Sequence, residues 1–434
     1  MNIILFDDPQ IRQSLLPLTF TRPVAALRIG ILTIAEKWEK FLNFGFSNPK
    51  LKIQNPQSHK VSFLTENYLQ KKFSLNLNDE NILINGAVCP NERLFNKIQN
   101  LKHGQSLVKD TMTIAIKFKS NQISDIKSAI RDSKSYPPTP LPPLLEGNPK
   151  SEIYEEDVCI IKQLWDIFEN NGEEIRNDFE IIKKASSAAS KGSNKITDKF
   201  TILYNSNNIF VEEGAVVKAA ILNAEDGPIY IGKNAQIHEG AIIKGPFALC
   251  EGAHVNMGGK MREDTTIGPY SKVGGEIINS VIIGYSNKAH DGFMGNTVIG
   301  EWCNLGADTN TSNLKNNYSN VKIWNYNKRS FIDTGRQFFG LIMGDHSKCG
   351  INTMFNTGTI VGVSTNIFGA GFPRNFIPSF SWGGTGGFST YQLKKACEVA
   401  EIVMKRRGIV FDETERLILK EVFEMTKEFR YWDK

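Results

Sequence analysis

Among the six histidines of this 434-residue chain, His290 has the setting best suited to proton transfer. It stands in Lys288-Ala289-His290-Asp291-Gly292-Phe293, ahead of Ile299-Gly300 and Asn304-Leu305-Gly306-Ala307. Imidazole titrates near neutrality, so a histidine held in a regular turn can act as a general base. His59, His103, His238, His254 and His346 have no comparable surroundings. Two carboxylates, Asp7 and Asp8, follow the first apolar run, where α/β sheets bind ligands beyond their strand ends. The six cysteines lie far apart, without Cys-x-x-Cys or zinc spacing, and read as reduced packing thiols of a cytoplasmic protein.

Elements must hold these groups. Hydrophobic residues make up 41% and charged residues 22%, which argues against wholesale disorder. The net charge of +5 comes from 51 Lys+Arg against 46 Asp+Glu, and no basic block suggests a nucleic-acid partner. No apolar run approaches the ~18–20 residues of a membrane helix. Met1 to Asp8 lacks the basic start of a signal peptide.

The strongest pattern is a repeat of six. Ile231, Ile237, Ile243, Leu249, Val255, Met261, Ile267 and Val273 are evenly spaced. The register resumes at Val281, Asn287, Phe293, Ile299 and Leu305, then at Met343, Cys349, Phe355, Val361 and Ile367. Neither a helix nor an isolated strand has this period. A parallel β-helix does, with three hexads per triangular coil and the aliphatic knobs stacked inside. The lapse over Asn310 to Asn327 predicts a projecting loop.

Three regions follow. Residues 1–195 form an α/β domain with strands at Asn2–Phe6 and Asn81–Asn85 and helical spacing over Ile29–Leu42. A proline-rich break lies at Tyr136–Pro143, and Ala185–Asn194 reads as a linker. Residues 196–375 form the β-helix. Residues 376–434 turn at Ser381-Trp382-Gly383-Gly384 into two helices, about Thr390–Arg407 and Asp412–Arg430, with Asp412 and Glu415 spaced as a cap.

The hexads resemble left-handed β-helix acyltransferases, which trimerise and place sites between subunits. The order His290, Gly295, Ile299-Gly300, Asn304-Leu305-Gly306-Ala307, Asn313 resembles the acetyltransferase half of the bifunctional UDP-N-acetylglucosamine-forming enzymes. The resemblance implies that His290 deprotonates the amine of glucosamine-1-phosphate. It implies that Asn304 and Asn313 bind sugar and acetyl-CoA, that Gly306 and Ala307 meet the cofactor, and that Lys322 and Arg262 contact phosphate. Phe293 stands where that family has Tyr, Asn279-Ser280 where it has a lysine pair, and Asp308 where it has Gly.

The first region lacks the glycine-rich phosphate loop of most sugar-1-phosphate nucleotidyltransferases. Its segments Leu16–Pro23, Leu27–Ile34, Ile84–Asn91 and Trp165–Gly172 resemble an alternative bacterial form of the same bifunctional family. That likeness implies an α/β nucleotidyltransferase-like domain using UTP. Arg22 and Arg28 would meet phosphates, Asn85 and Gly86 would stand at the usual metal-bearing position, and Asp7 or Asp8 would supply a carboxylate to Mg2+. The implied partners are a sugar-1-phosphate and a nucleoside triphosphate, in a homotrimer with neither nucleic acid nor membrane. The alternative is a sugar-1-phosphate nucleotidyltransferase, for example for glucose-1-phosphate, with the β-helix as a trimerisation scaffold.

Overall fold

The computed structural model describes residues 2–44, 60–132, 151–188 and 193–433, so the proline-rich break at Tyr136–Pro143 lies outside the described residues. Contacts divide the chain into two compact units interleaved along the sequence. One comprises residues 1–15, 22–27 and 32–163; the other comprises 16–21, 28–31 and 164–434.

The first unit is built on a mixed sheet. Its elements are β1 (Asn2–Phe6), α1 (Pro9–Ser14), α2 (Ile34–Phe44), β2 (Ser62–Leu64), β3 (Glu80–Asn85), α3 (Glu92–Gln99), β4 (Ser106–Lys109), β5 (Met112–Lys119), α4 (Ile123–Asp132) and β6 (Glu152–Ile153). The strand order is β2-β1-β3-β5-β4-β6. The neighbours β2, β1 and β3 run parallel, and β5 is antiparallel to both β3 and β4. Ile4, Phe6, Leu83, Ile116 and Phe118 pack against Ile126 of α4.

Helix α2 starts five residues later than the apolar spacing predicts. Thr33 Oγ1 accepts the Glu36 amide at 3.1 Å and Glu36 Oε2 accepts the Thr33 amide at 2.7 Å. This reciprocal cap fixes the start. Ile29 and Ile31 before it belong instead to the second unit.

The second unit is a parallel β-solenoid with sheets of eight, nine and ten strands. Ile231, Leu249 and Ile267 stack in register on the nine-stranded sheet, and Ile237, Val255 and Val273 on the ten-stranded one. All six belong to one core cluster and are almost wholly buried. Each such aliphatic stabilises the coil by roughly 1.5–3 kcal/mol.

Beyond Val273 the inward register differs from the expected one. Ile267 pairs with Ile282, Val273 with Lys288 and Ile277 with Met294. The inward residues are therefore Ile282, Lys288 and Met294, not Val281, Asn287 and Phe293. The cause is a short coil: from Val273 to Ile277 the chain needs four residues where neighbouring coils use six.

Two helices, α5 (Leu164–Glu169) and α6 (Asn171–Ala188), precede the solenoid and pack within its unit. Asn171 Nδ2 donates to the Asp264 carbonyl at 2.8 Å, and its Oδ1 accepts the Gly30 amide at 2.8 Å. The stretch read as a linker is thus helical as far as Ala188, and residues 189–192 lie outside the described residues.

The excursion after Thr311 is irregular as far as residue 321 and then forms a hairpin, in which Lys322–Asn325 pairs antiparallel with Ser330–Asp333. Trp324 of this hairpin stacks on Phe376 at 4.3 Å. Ser381–Gly384 is no turn but a strand, bonded to Asn366–Ile367 and to Gly387–Thr390. Helices α7 (Leu393–Lys405) and α8 (Glu413–Met425) follow, and Asp412 caps α8 by accepting the Glu415 amide at 3.0 Å.

Candidate functional site

Corners joining the ten-stranded to the eight-stranded sheet rise along the solenoid as a ridge. A typical one spans four residues beyond its strand, as at Asn256-Met257-Gly258-Gly259 and Gly306-Ala307-Asp308-Thr309. The short coil reduces its corner to Gly274-Gly275. A Cβ at Gly274 would lie 2.6 Å from the Ala289 oxygen, and one at Gly275 (φ +71°) would lie 2.5 Å from the Gly292 oxygen. Only glycine fits such an approach at that φ. The missing residues leave an open groove lined by Asn256, Gly275, His290, Asp291, Ala307 and Asp308.

His290 stands exposed on this groove, as do Asp291 and Asp308. Below it, Asn256 Nδ2 reaches across the short corner to the Ala289 carbonyl at 2.8 Å. Ala307 occupies the next corner above. A neutral imidazole beside two carboxylates and an open channel can take a proton from a cationic acceptor.

The other expected solenoid residues lie on outer faces. Asn304 is exposed, pairs in register with Asn287 and Lys348, and lies 3.5 Å from the Asn287 amide nitrogen. Asn313 donates to Asn296 Oδ1 at 2.8 Å, beside Phe293 and Gly295. Arg262 is exposed and bridges Glu263 and Glu276, each at 3.4 Å. Glu276 is the ladder partner of Phe293. Lys322 is exposed on the hairpin, opposite Asp333. Gly306 closes tightly on Gly350, where a Cβ would come within 2.4 Å of backbone. Only Ala307 of this set lines the groove with His290.

In the first unit a second pocket opens beyond β1 and β2, lined by Asp7, Arg12, Thr65, Glu66, Gln70 and Lys127. Asp7 is buried. Its Oδ2 accepts from Arg12 Nη1 at 3.0 Å and from Thr65 Oγ1 at 2.5 Å, and its Oδ1 accepts the Val24 amide at 2.8 Å. Burial pushes the Asp7 carboxyl above its usual range, against the pull of Arg12, Thr65 and the Val24 amide. Arg12 also donates to Tyr68 Oη at 2.9 Å and to the carbonyl of Arg22, itself buried.

Asp7 has both carboxylate oxygens committed, and Asp8 keeps one, Oδ2, outside its capping bonds. Asp8 caps α1, its Oδ1 accepting the amides of Gln10 and Ile11. Asn85 is wholly buried; its Oδ1 accepts the Ala87 amide at 3.0 Å and its Nδ2 faces the Thr113 carbonyl at 3.3 Å. Gly86 donates its amide to the Phe6 carbonyl at 2.8 Å. A hard cation needs several uncommitted oxygens, so the Mg2+ expected at Asp7 or Asp8 does not fit these residues as placed.

Arg28 also departs from the expectation. It belongs to the second unit, where Nε donates to the Ile283 carbonyl at 3.2 Å and Nη1 to the Ile31 carbonyl. A buried guanidinium satisfied by main-chain oxygens anchors its segment rather than awaiting a phosphate.

Sequence reasoning missed Asn256, Gly274, Gly275, Lys288, Asp291, Arg12 and Thr65. The four-residue step from Val273 to Ile277 was a signal for the Gly274-Gly275 corner alone. Arg12 and Thr65 had none, since each meets Asp7 only through the fold.

Residues 3–187 match the family model described as sugar nucleotidyl transferase. A bifunctional sugar-1-phosphate nucleotidylyltransferase/acetyltransferase of Sulfurisphaera tokodaii is 29% identical over 153 residues, 34% of this chain and 38% of that protein. The bifunctional protein GlmU of Methanocaldococcus jannaschii is 31% identical over 156 residues, 35% of each chain. A putative uncharacterized acetyltransferase, YaiX, of Escherichia coli is 26% identical over 154 residues, 35% of this chain and 66% of that one. The chain thus spans little more than a third of the length of these two bifunctional relatives. It combines a sugar nucleotidyltransferase-like α/β region with a β-solenoid and short C-terminal helices. No helix among the described residues is long and apolar enough to cross a membrane.

Proposed function

We propose that the protein is a bifunctional transferase: the solenoid moves an acetyl group from acetyl-CoA to the amine of glucosamine-1-phosphate, and the first region moves a uridylyl group from UTP to the acetylated product. The observation that carries this reading is His290, exposed on the notch beside Asp291 and Asp308. An amino sugar arrives as an ammonium ion. Two carboxylates favour its entry, and His290 takes the proton that makes the nitrogen a nucleophile. The amine then attacks the thioester and CoA leaves as the thiol.

Bifunctional relatives of both activities support the pairing. The uridylyl step is displacement at the α-phosphate by the sugar phosphate, with pyrophosphate leaving. In a cytoplasmic homotrimer a neighbouring copy would complete each groove. Met257 and Ile351, 76% and 70% exposed on the corner ridge, offer the apolar surface for it.

One incubation tests the reading: protein, glucosamine-1-phosphate, acetyl-CoA, UTP and Mg2+, with products identified by mass spectrometry. UDP-N-acetylglucosamine is the expected product. N-acetylglucosamine-1-phosphate alone would confine activity to the solenoid, which the committed state of Asp7 and Asn85 favours as the second reading. Absence of any acetylated product would sink the role given to His290.

A further inference from the structure

The inward column of the ten-stranded sheet contains one charge among the described residues. Val217, Ile237, Val255, Val273, Leu305, Cys349 and Ile367 line it, with Gly383 above Ile367, and Lys288 sits between Val273 and Leu305 with 1% of its surface exposed. An aliphatic side chain would serve packing better there, since burying an ammonium costs free energy unless it is hydrogen-bonded. Burial accordingly pushes the Lys288 ammonium down to about 8. Its Nζ donates to the His290 carbonyl at 3.0 Å and to the Asp291 carbonyl at 3.1 Å.

Neighbouring corners close themselves. The amide of Gly259 donates to the Asn256 carbonyl, that of Thr309 to Gly306, and that of Ala241 to His238. The corner at 289–292 is held differently. The Ala289 carbonyl accepts from Asn256 Nδ2, the carbonyls of His290 and Asp291 from Lys288, and that of Gly292 from the Glu276 amide. The Gly292 bond is the coil-to-coil bond that Gly259 and Ala241 also accept, so what sets this corner apart is the grip on Ala289, His290 and Asp291, two of them held by one ammonium from inside the core.

We propose that Lys288 is a positioning residue, an internal clamp that fixes the corner carrying His290 in the geometry acyl transfer requires. This rests on the acyl-transfer reading of His290, but the clamp itself can be measured without it. Charge-assisted bonds to two adjacent carbonyls restrain the backbone on either side of the imidazole, and small displacements of a catalytic group are costly. The fold does not need the charge.

The test is Lys288→Met in the full-length protein, read by hydrogen exchange over residues 287–295, by melting temperature and by acetyl-transfer kinetics. The expected result is exchange in that segment faster by about tenfold or more, with a melting temperature unchanged or raised. kcat falls by about tenfold to a hundredfold while the KM for acetyl-CoA holds. Unchanged exchange in a folded variant would overturn the clamp, whatever the kinetics. If the wild-type protein acetylates no amine, the functional reading falls and the exchange result still decides the clamp. Should Lys288→Met fail to fold, exchange of residues 287–295 in the wild-type protein, compared at pH 7 and pH 10 at matched intrinsic rates, replaces it: no faster exchange once the amine has lost its proton would count equally against the clamp.

Discussion

The two pockets treat their ionisable groups in opposite ways. Beyond β1, Asp7, Arg12, Thr65 and the Val24 amide satisfy one another, and the carboxylate is buried in the bargain. At the solenoid notch, His290, Asp291 and Asp308 are exposed, and the restraining bonds fall on the backbone beneath them. A reactive side chain needs its own polar atoms available while its main chain is fixed. The solenoid meets that condition, because the stacked coils supply rigidity at no expense to the side chains. The first pocket spends its polar atoms on its own architecture.

The largest effect that would sharpen this contrast is His290→Ala. Acetyl transfer, followed as CoA release, should fall by about 10²–10⁴-fold, the usual range for a lost general base. Uridylyl transfer by the same preparation should stay within error. Equal loss of both activities in a folded variant would erase the division between the two regions.

Asp7→Ala tests the other side. Removing one partner of a buried pair strands the Arg12 guanidinium, which costs about 3–5 kcal/mol. Denaturant melts followed in the first unit should show it, while hydrogen exchange of the solenoid core stays at wild-type levels. If Asp7→Ala leaves stability intact and abolishes nucleotide binding, the carboxylate is a ligand and not a fixture.

Gly275→Ala asks whether the notch is built or incidental. A non-glycine residue at φ +71° is strained by about 1–3 kcal/mol, and the added Cβ would strike the Gly292 oxygen. The corner should shift, and with it His290. Reduced acetyl transfer with a modestly lowered melting temperature is expected. Full activity would show that the groove tolerates a wider corner.

Much of the solenoid was legible because its period is a direct consequence of stacking: every sixth residue must be apolar to face the core. The legibility failed where one coil shortens. Val281 and Ile282 are both aliphatic, so hydrophobicity alone cannot choose between them, and Lys288 at an inward rung looks like a surface residue. His290 was visible as a candidate base by its type and setting, and it stands exposed on the groove. Its supports were not, since Asn256 lies 33 residues away in sequence and meets Ala289 only because the intervening corner is short. Arg28 misled for a related reason. Its residue type suits phosphate, yet the carbonyls of Ile31 and Ile283 that claim it are set by tertiary packing.

The smallest expected effect is a pH dependence that separates the clamp from ordinary surface lysines. The groups facing Lys288 are Asp291, Cys349 and Asp308, each favouring its charged form, while burial opposes it and wins. Its folded value, about 8, lies below the ordinary lysine value of 10.5. Between those two values the unfolded chain holds a proton that the folded chain has released. Stability therefore rises with pH across that window, and below about 8 the full cost of burying the charge is present. Wild-type melting temperature, measured against Lys288→Met at matched pH, should gain ground from pH 8 to 10 and run parallel below 8. The corner should loosen over the same rise, because a neutral amine grips two carbonyls less firmly than an ammonium does. A wild-type protein that gains stability there while residues 287–295 exchange faster, at matched intrinsic rates, would show one titration strengthening the fold and relaxing the site. Parallel melting curves throughout would mean that the ammonium is not paying a burial cost, and that its hold on the corner is worth more than its desolvation.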